Sequence, residues 1–159
     1  MTLYLALKYI HIIGAAVLLG TGAGIAFFML LAHLTNHPPT IAAVARMVVV
    51  ADFVFTATAV VLQPVTGVLL AWEAGYSLWE GWIVLSLALY FLTGAFWIPV
   101  VFIQIGLRNF AEAAARSGSE LPEMYRIWFW TWFALGVPAF GAVLAIFWLM
   151  IARPNVVLW

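Results

Sequence analysis

Apolar residues fill this chain in long blocks, at positions 3–32, 41–72, 81–107 and 127–152, and polar residues gather in the short stretches between them. Each block exceeds the ~20 residues that a helix needs to cross a hydrocarbon core. The blocks are continuous instead of alternating, and lipid does not tolerate unpaired backbone amides, so helices are expected in place of a barrel. The connections "HLTNHPPT", "EAGYSLWE" and "NFAEAAARSGSELPE" hold the Pro, Gly, Asn and Ser of turns, and short connections make consecutive helices antiparallel neighbours. The pattern predicts an all-α, integral membrane four-helix bundle, up-down-up-down, as a single transmembrane domain over residues 1–159 with helices at about 3–32, 41–72, 81–107 and 124–152. The first block has no convincing small-residue cleavage site, so a retained span is expected and not a removable signal.

Composition agrees with the pattern. Of the 159 residues, 67% are hydrophobic and 8% charged, with a mean hydropathy of +1.15, too few charges to cover a water-facing surface; the lipid bilayer is the solvent. Net charge is zero with no basic stretch, which removes the electrostatic footprint of nucleic-acid binding. With no cysteine there is no disulfide, iron-sulfur cluster or thiolate nucleophile, and a metal would draw on His, Met or carboxylates. No phosphate-cradling loop, G-x-S-x-G or H-E-x-x-H occurs. Arg46, Arg108, Arg116 and Arg126 lie near the first and third connections, whereas the other side has Lys8 and Arg153. The positive-inside rule then places both termini extracytoplasmic, with a bacterial inner membrane as the expected location. Trp72, Trp79, Trp82, Trp148 and Trp159 suit an outer aromatic belt, Trp128 and Trp130 an inner one.

The candidate chemistry begins with His11. On a helix His11, Ala15, Leu18, Gly22, Ile25 and Met29 share one stripe, with Lys8 a turn nearer the surface. A second row, Ala16, Gly20 and Gly24, contains a G-x-x-x-G, the ordinary packing device of lipid-embedded helices. Two readings stay open: the small residues serve helix packing alone, or Ala15 and Gly22 clear a slot beside His11 for a flat macrocycle. Imidazole is the usual axial ligand of b-type heme in helical bundles; the competing reading is a histidine hydrogen-bonded within the bundle or resting at headgroup level.

The stretch "LKYIHIIGAAVLLGTG" resembles the first helix of HemJ-type protoporphyrinogen oxidases and of copper-resistance protein D-like membrane domains, and "FWLMIARP" resembles the HemJ-type ending. Across nearly the whole chain the closer likeness is to an uncharacterised family of small four-helix predicted membrane proteins, carried by "LQPVTG", "WIPVV" and "LGVPAF". The resemblance implies a bundle that binds heme b with His11 as axial ligand. HemJ-type proteins carry a lysine shortly after the Gly-Trp that opens helix three, where this chain has Ser86, which speaks against porphyrin oxidation; no Met- or His-rich cluster suits Cu(I).

His33 and His37 lie 22 and 26 residues beyond His11, about 33 and 39 Å along a helix at ~1.5 Å per residue, and are expected as solvated turn histidines. The sixth ligand could be Met150, expected at the depth of His11; His11 from a second copy in a homodimer built on Gly20 and Gly24; or an open position. Among intramembrane polar residues, Asp52 should be protonated or face a partner, Arg108 or Arg126 by depth and not Arg46 on its own helix. Gln63 and Gln104, near Pro64 and Pro99, are expected to re-satisfy backbone loosened by proline, and three proline kinks could enclose a cavity lined by Trp97, Trp132 and Gln63. The functional expectation is electron transfer or redox chemistry with a lipid-soluble partner such as quinone. Its rivals are a cofactor-free transporter centred on Asp52 and Gln63, an accessory membrane subunit, and HemJ-like porphyrin oxidation.

Overall fold

The computed structural model describes residues 2–156, and among them there is no strand. Helix α1 (Leu3–Leu34) is followed by α2 (Pro38–Ala51), a π-helical turn (Asp52–Thr56), α3 (Ala57–Glu73), α4 (Gly81–Ser117) and α5 (Glu123–Ala152). Helices α2 and α3 run through the π turn as one span, Pro38–Glu73, so among the described residues 4 helices are long and apolar enough to cross a membrane.

The boundaries follow local chemistry. Proline occupies the first helical positions of α2, where its missing N–H costs nothing. α4 outruns its apolar block and ends at Ser117 because "NFAEAAAR" consists mostly of strong helix formers. Gly118, at φ 66°, then supplies the left-handed turn that stops it.

Each helix buries one stripe. On α2 it is Ile41, Ala45, Val48 and Val49; on α4 Val101, Gln104, Leu107, Ala111 and Ala114; on α5 Tyr125, Phe129 and Trp132. These meet Met29 and Ala32 of α1 in the principal core, near the end that carries the first and third connections. A smaller core of Ala71, Trp82, Ile83 and Leu149 lies at the terminal end. α4 packs on α5 and α2, and α1 on α3 and α2. Outward-facing Phe27, Phe28, Met47, Val61, Phe91, Phe102, Val137 and Ile151 are exposed, as lipid permits.

The α4–α5 seam closes on a glycine. A side chain at Gly106 would run into the Trp128 ring, which also packs edge-on against Phe110. Gly106→Val is therefore expected to cost about 1–3 kcal/mol through overpacking, read as a lower unfolding midpoint in mixed micelles; an unchanged midpoint would mean the indole swings aside freely.

The aromatic belts are partly as expected: Trp72, Trp79 and Trp148 are exposed at the terminal end and Trp130 at the other. Trp82 is a correction, since it is buried and donates its indole N–H to Glu80 at 2.8 Å. Trp159 lies outside the described residues.

Candidate functional site

Two polar constellations sit inside the bundle. The first joins α1 to α3 in the terminal half. Gln63, Thr66 and Gly67 fall at i, i+3 and i+4 on α3 and so share a face, and that face meets His11 and Gly14 of α1. The Gln63 amide donates to the His11 carbonyl at 3.0 Å, in space left by Gly14, where a side chain would collide with the amide nitrogen. The imidazole lies over Gly67, whose missing Cβ would stand 3.2 Å from Cε1.

Thr66 sets the state of that imidazole. With its one proton on the Leu62 carbonyl at 2.7 Å, the hydroxyl is left to accept at 2.8 Å from Nδ1 of His11. That arrangement favours the Nδ1–H tautomer with the lone pair on Nε2. Among the described residues Nε2 has no hydrogen-bond partner, and it is not sealed from the surface.

The second constellation lies deeper. Asp52, 4% exposed, opens the π turn. Its carboxyl accepts from Trp97 Nε1 at 3.3 Å and from Gln104 Nε2 at 2.9 Å. Gln104 in turn accepts from Trp132 Nε1 at 3.3 Å. Indole N–H groups only donate, which fixes the direction of the chain: both branches end on the carboxyl. From Asp52 to Gln63 is 11 residues, about 16 Å at ~1.5 Å per residue, so the two constellations are separate.

A family model described as predicted integral membrane protein (DUF2269) matches residues 5–154. The chain belongs to this family. No curated protein and no solved structure matches it. The family description matches the closest of the sequence likenesses, and the helices long enough to span a bilayer agree with it.

In this DUF2269 chain the structure redistributes several expected roles. Asp52 pairs with neither Arg108 nor Arg126: Arg108 donates to Asn109, and no ion pair reaches Asp52 among the described residues. Arg46 instead meets Glu112 at 3.0 Å, with Arg116 on the other carboxylate oxygen at 3.8 Å. Neither glutamine mends proline-loosened backbone. The carbonyl that Pro64 frees one turn back, that of Val60, accepts from the Tyr90 hydroxyl of α4 at 2.7 Å. Trp97 and Trp132 serve the Asp52 network, and Gln63 belongs to the His11 seam.

Gly22, expected to clear a slot, has nothing within 4 Å of where its side chain would be, and Ala15 is half-buried; the close approaches to the His11 turn are at Gly14 and Gly67. Met150 packs with Ala71, Trp82, Ile83 and Leu149 at the terminal end. His33 is no solvated turn residue. It belongs to α1 and stacks on Phe129 at 3.6 Å between centroids, with the Tyr125 hydroxyl 3.4 Å from Nδ1. His37 is exposed, 2.8 Å from the Thr40 hydroxyl. Ser86, where HemJ-type proteins carry lysine, is buried and donates to the Trp82 carbonyl at 2.7 Å.

Proposed function

We propose that this membrane protein binds heme b through Nε2 of His11 and exchanges electrons with a lipid-soluble partner such as a quinone. The observation that carries the reading is the tautomer lock at Thr66: a ligating histidine characteristically gives its other ring N–H to a fixed acceptor, which orients the ring and raises its basicity. Gln63 holds the backbone of the same residue, so side chain and main chain are both anchored to α3. When bound, heme would supply a one-electron couple whose potential depends on ligand basicity and burial.

His11 would supply one ligand per chain. Among the described residues no second imidazole lies near His11, since His33 stacks on Phe129 at the other end of α1, which leaves Met150, an open position or His11 of a second copy. A homodimer is compatible with the lipid-facing row on α1: Ala16 and Gly20 are exposed, and neither Gly20 nor Gly24 has an atom within 4 Å of the missing side chain. Placing the arginine-rich end in the cytoplasm puts His11 in the extracytoplasmic half of a bacterial inner membrane.

The decisive measurement is an absorption spectrum of protein purified in mild detergent from heme-replete cells. A Soret band that sharpens and shifts on dithionite reduction is expected. A colourless preparation rejects heme and leaves the cofactor-free carrier, for which the buried Asp52 network is the supporting observation.

A further inference from the structure

The π turn leaves one polar group without a partner. Thr56 is 7% exposed, and its Oγ1 is the buried side-chain oxygen or nitrogen with no hydrogen bond among the described residues. Four other threonines on these spans bond back to the carbonyl four residues earlier: Thr58 to Val54, Thr66 to Leu62, Thr93 to Leu89 and Thr131 to Ile127, all within 2.9 Å. The corresponding carbonyl for Thr56 is that of Asp52, which accepts from Ala57 N–H across the π turn and receives no bond from the Thr56 hydroxyl. Thr56 lies one turn beyond Asp52, so a rotation of its side chain can bring the hydroxyl onto the Asp52 carboxyl. Single π turns of this kind are frequent at functional sites.

Asp52 is equally short of a partner, in charge if not in hydrogen bonds. Two N–H groups face it, from Trp97 and Gln104, and no cation. No element packed around it supplies an ionisable side chain at this depth. α1 has none between His11 and His33, α3 none between Ala57 and Glu73, α4 none between Tyr90 and Arg108, and α5 none between Arg126 and Arg153; on α2 the nearest, Arg46, is paired with Glu112. A lone carboxylate in the interior of a membrane bundle is costly.

One ligand resolves both shortages, and it is a proton. We propose that Asp52 and Thr56 form a proton-binding site in the interior of the bundle, in which the carboxyl takes up one proton from water and donates it in a hydrogen bond to Thr56 Oγ1. Only the O–H bond on the carboxyl forms, and on release it breaks and the proton returns to water; no electron moves. The carboxyl keeps the Trp97 and Gln104 donors in both states, and the neutral acid adds a donor of its own, for which the Thr56 oxygen is the acceptor. The inference is independent of heme binding at His11.

The test is acid-minus-alkaline infrared difference spectroscopy on the full chain in phosphatidylcholine vesicles. A carbonyl stretch of a protonated carboxylic acid is expected, downshifted in D2O and absent in Asp52→Asn. Thr56→Val should move that band to higher frequency by removing its hydrogen-bond acceptor, and Thr56→Ser should restore it. The valine and serine variants leave the carboxyl in place, so they report even if Asp52→Asn does not fold. The proposal is overturned if Asp52→Asn leaves the difference spectrum unchanged, or if Thr56→Val does not shift the band. It is also overturned if the acid band is displaced by sodium at constant pH, which would make the site one for a metal ion.

Discussion

His11→Ala is expected to abolish the Soret band of the purified protein while leaving its far-ultraviolet circular dichroism intact. The side chain touches α3 through one hydrogen bond and a contact with Gly67, whereas the α1–α3 tie made by Gln63 goes to a backbone carbonyl that alanine retains. Helix content and monodispersity in detergent should therefore survive, so loss of colour reads ligation and not unfolding. Thr66→Val makes the finer test, because it keeps the shape of the side chain and removes the acceptor for Nδ1–H. With the ring free to turn, heme affinity should fall about 10–100-fold, the usual cost of losing a ligand's outer partner. Thr66→Ser should recover most of it. Retention of the full spectrum by His11→Ala would show that any heme is held elsewhere, and an unaltered affinity in Thr66→Val would remove the tautomer argument even if His11 ligates.

How far the sequence revealed these sites depends on the kind of signal each carries. Spans and connections were legible because burial in lipid leaves a one-dimensional mark: continuous apolar blocks with turn residues between them. The overrun of α4 to Ser117 was hidden from hydropathy, since helix propensity and membrane burial part company where alanine meets glutamate and arginine. His11 stood out as an ionisable ring in an apolar run, but its partners lie 52 to 56 residues away on α3. The trace available in advance was the i, i+3, i+4 spacing of Gln63, Thr66 and Gly67 within "LQPVTG". Proline drew attention to Gln63 as a local repair, and the role fell to Tyr90 of a different helix. For Asp52, depth suggested arginine, yet depth is only one coordinate. Rotation about the helix axis decides which side chain faces the carboxyl, and the π turn alters that rotation within the span.

Gln104→Leu is expected to destabilise the bundle by about 2–4 kcal/mol, because each buried polar group left without a partner costs ~1–3 kcal/mol. Interhelical hydrogen bonds in bilayers average only ~0.6 kcal/mol when a bond is exchanged for another available partner. Gln104 is different in its position between two others. Removing it strands the Trp132 indole N–H, donor-only and 4% exposed, and takes one of the two N–H donors from Asp52. Leucine is close in volume, so packing against Leu107 and Phe129 in the adjoining core changes little. The measurement is reversible unfolding in mixed micelles followed by circular dichroism. Its control is the double variant Asp52→Leu/Gln104→Leu, in which one apolar pair replaces donor and acceptor together. Its cost should fall below the sum of the two single substitutions by at least ~0.5 kcal/mol, the lower bound for residues sharing one network. Strict additivity would mean that Asp52 and Gln104 are stabilised independently, and that the chain from Trp132 through Gln104 to the carboxyl does not act as a unit.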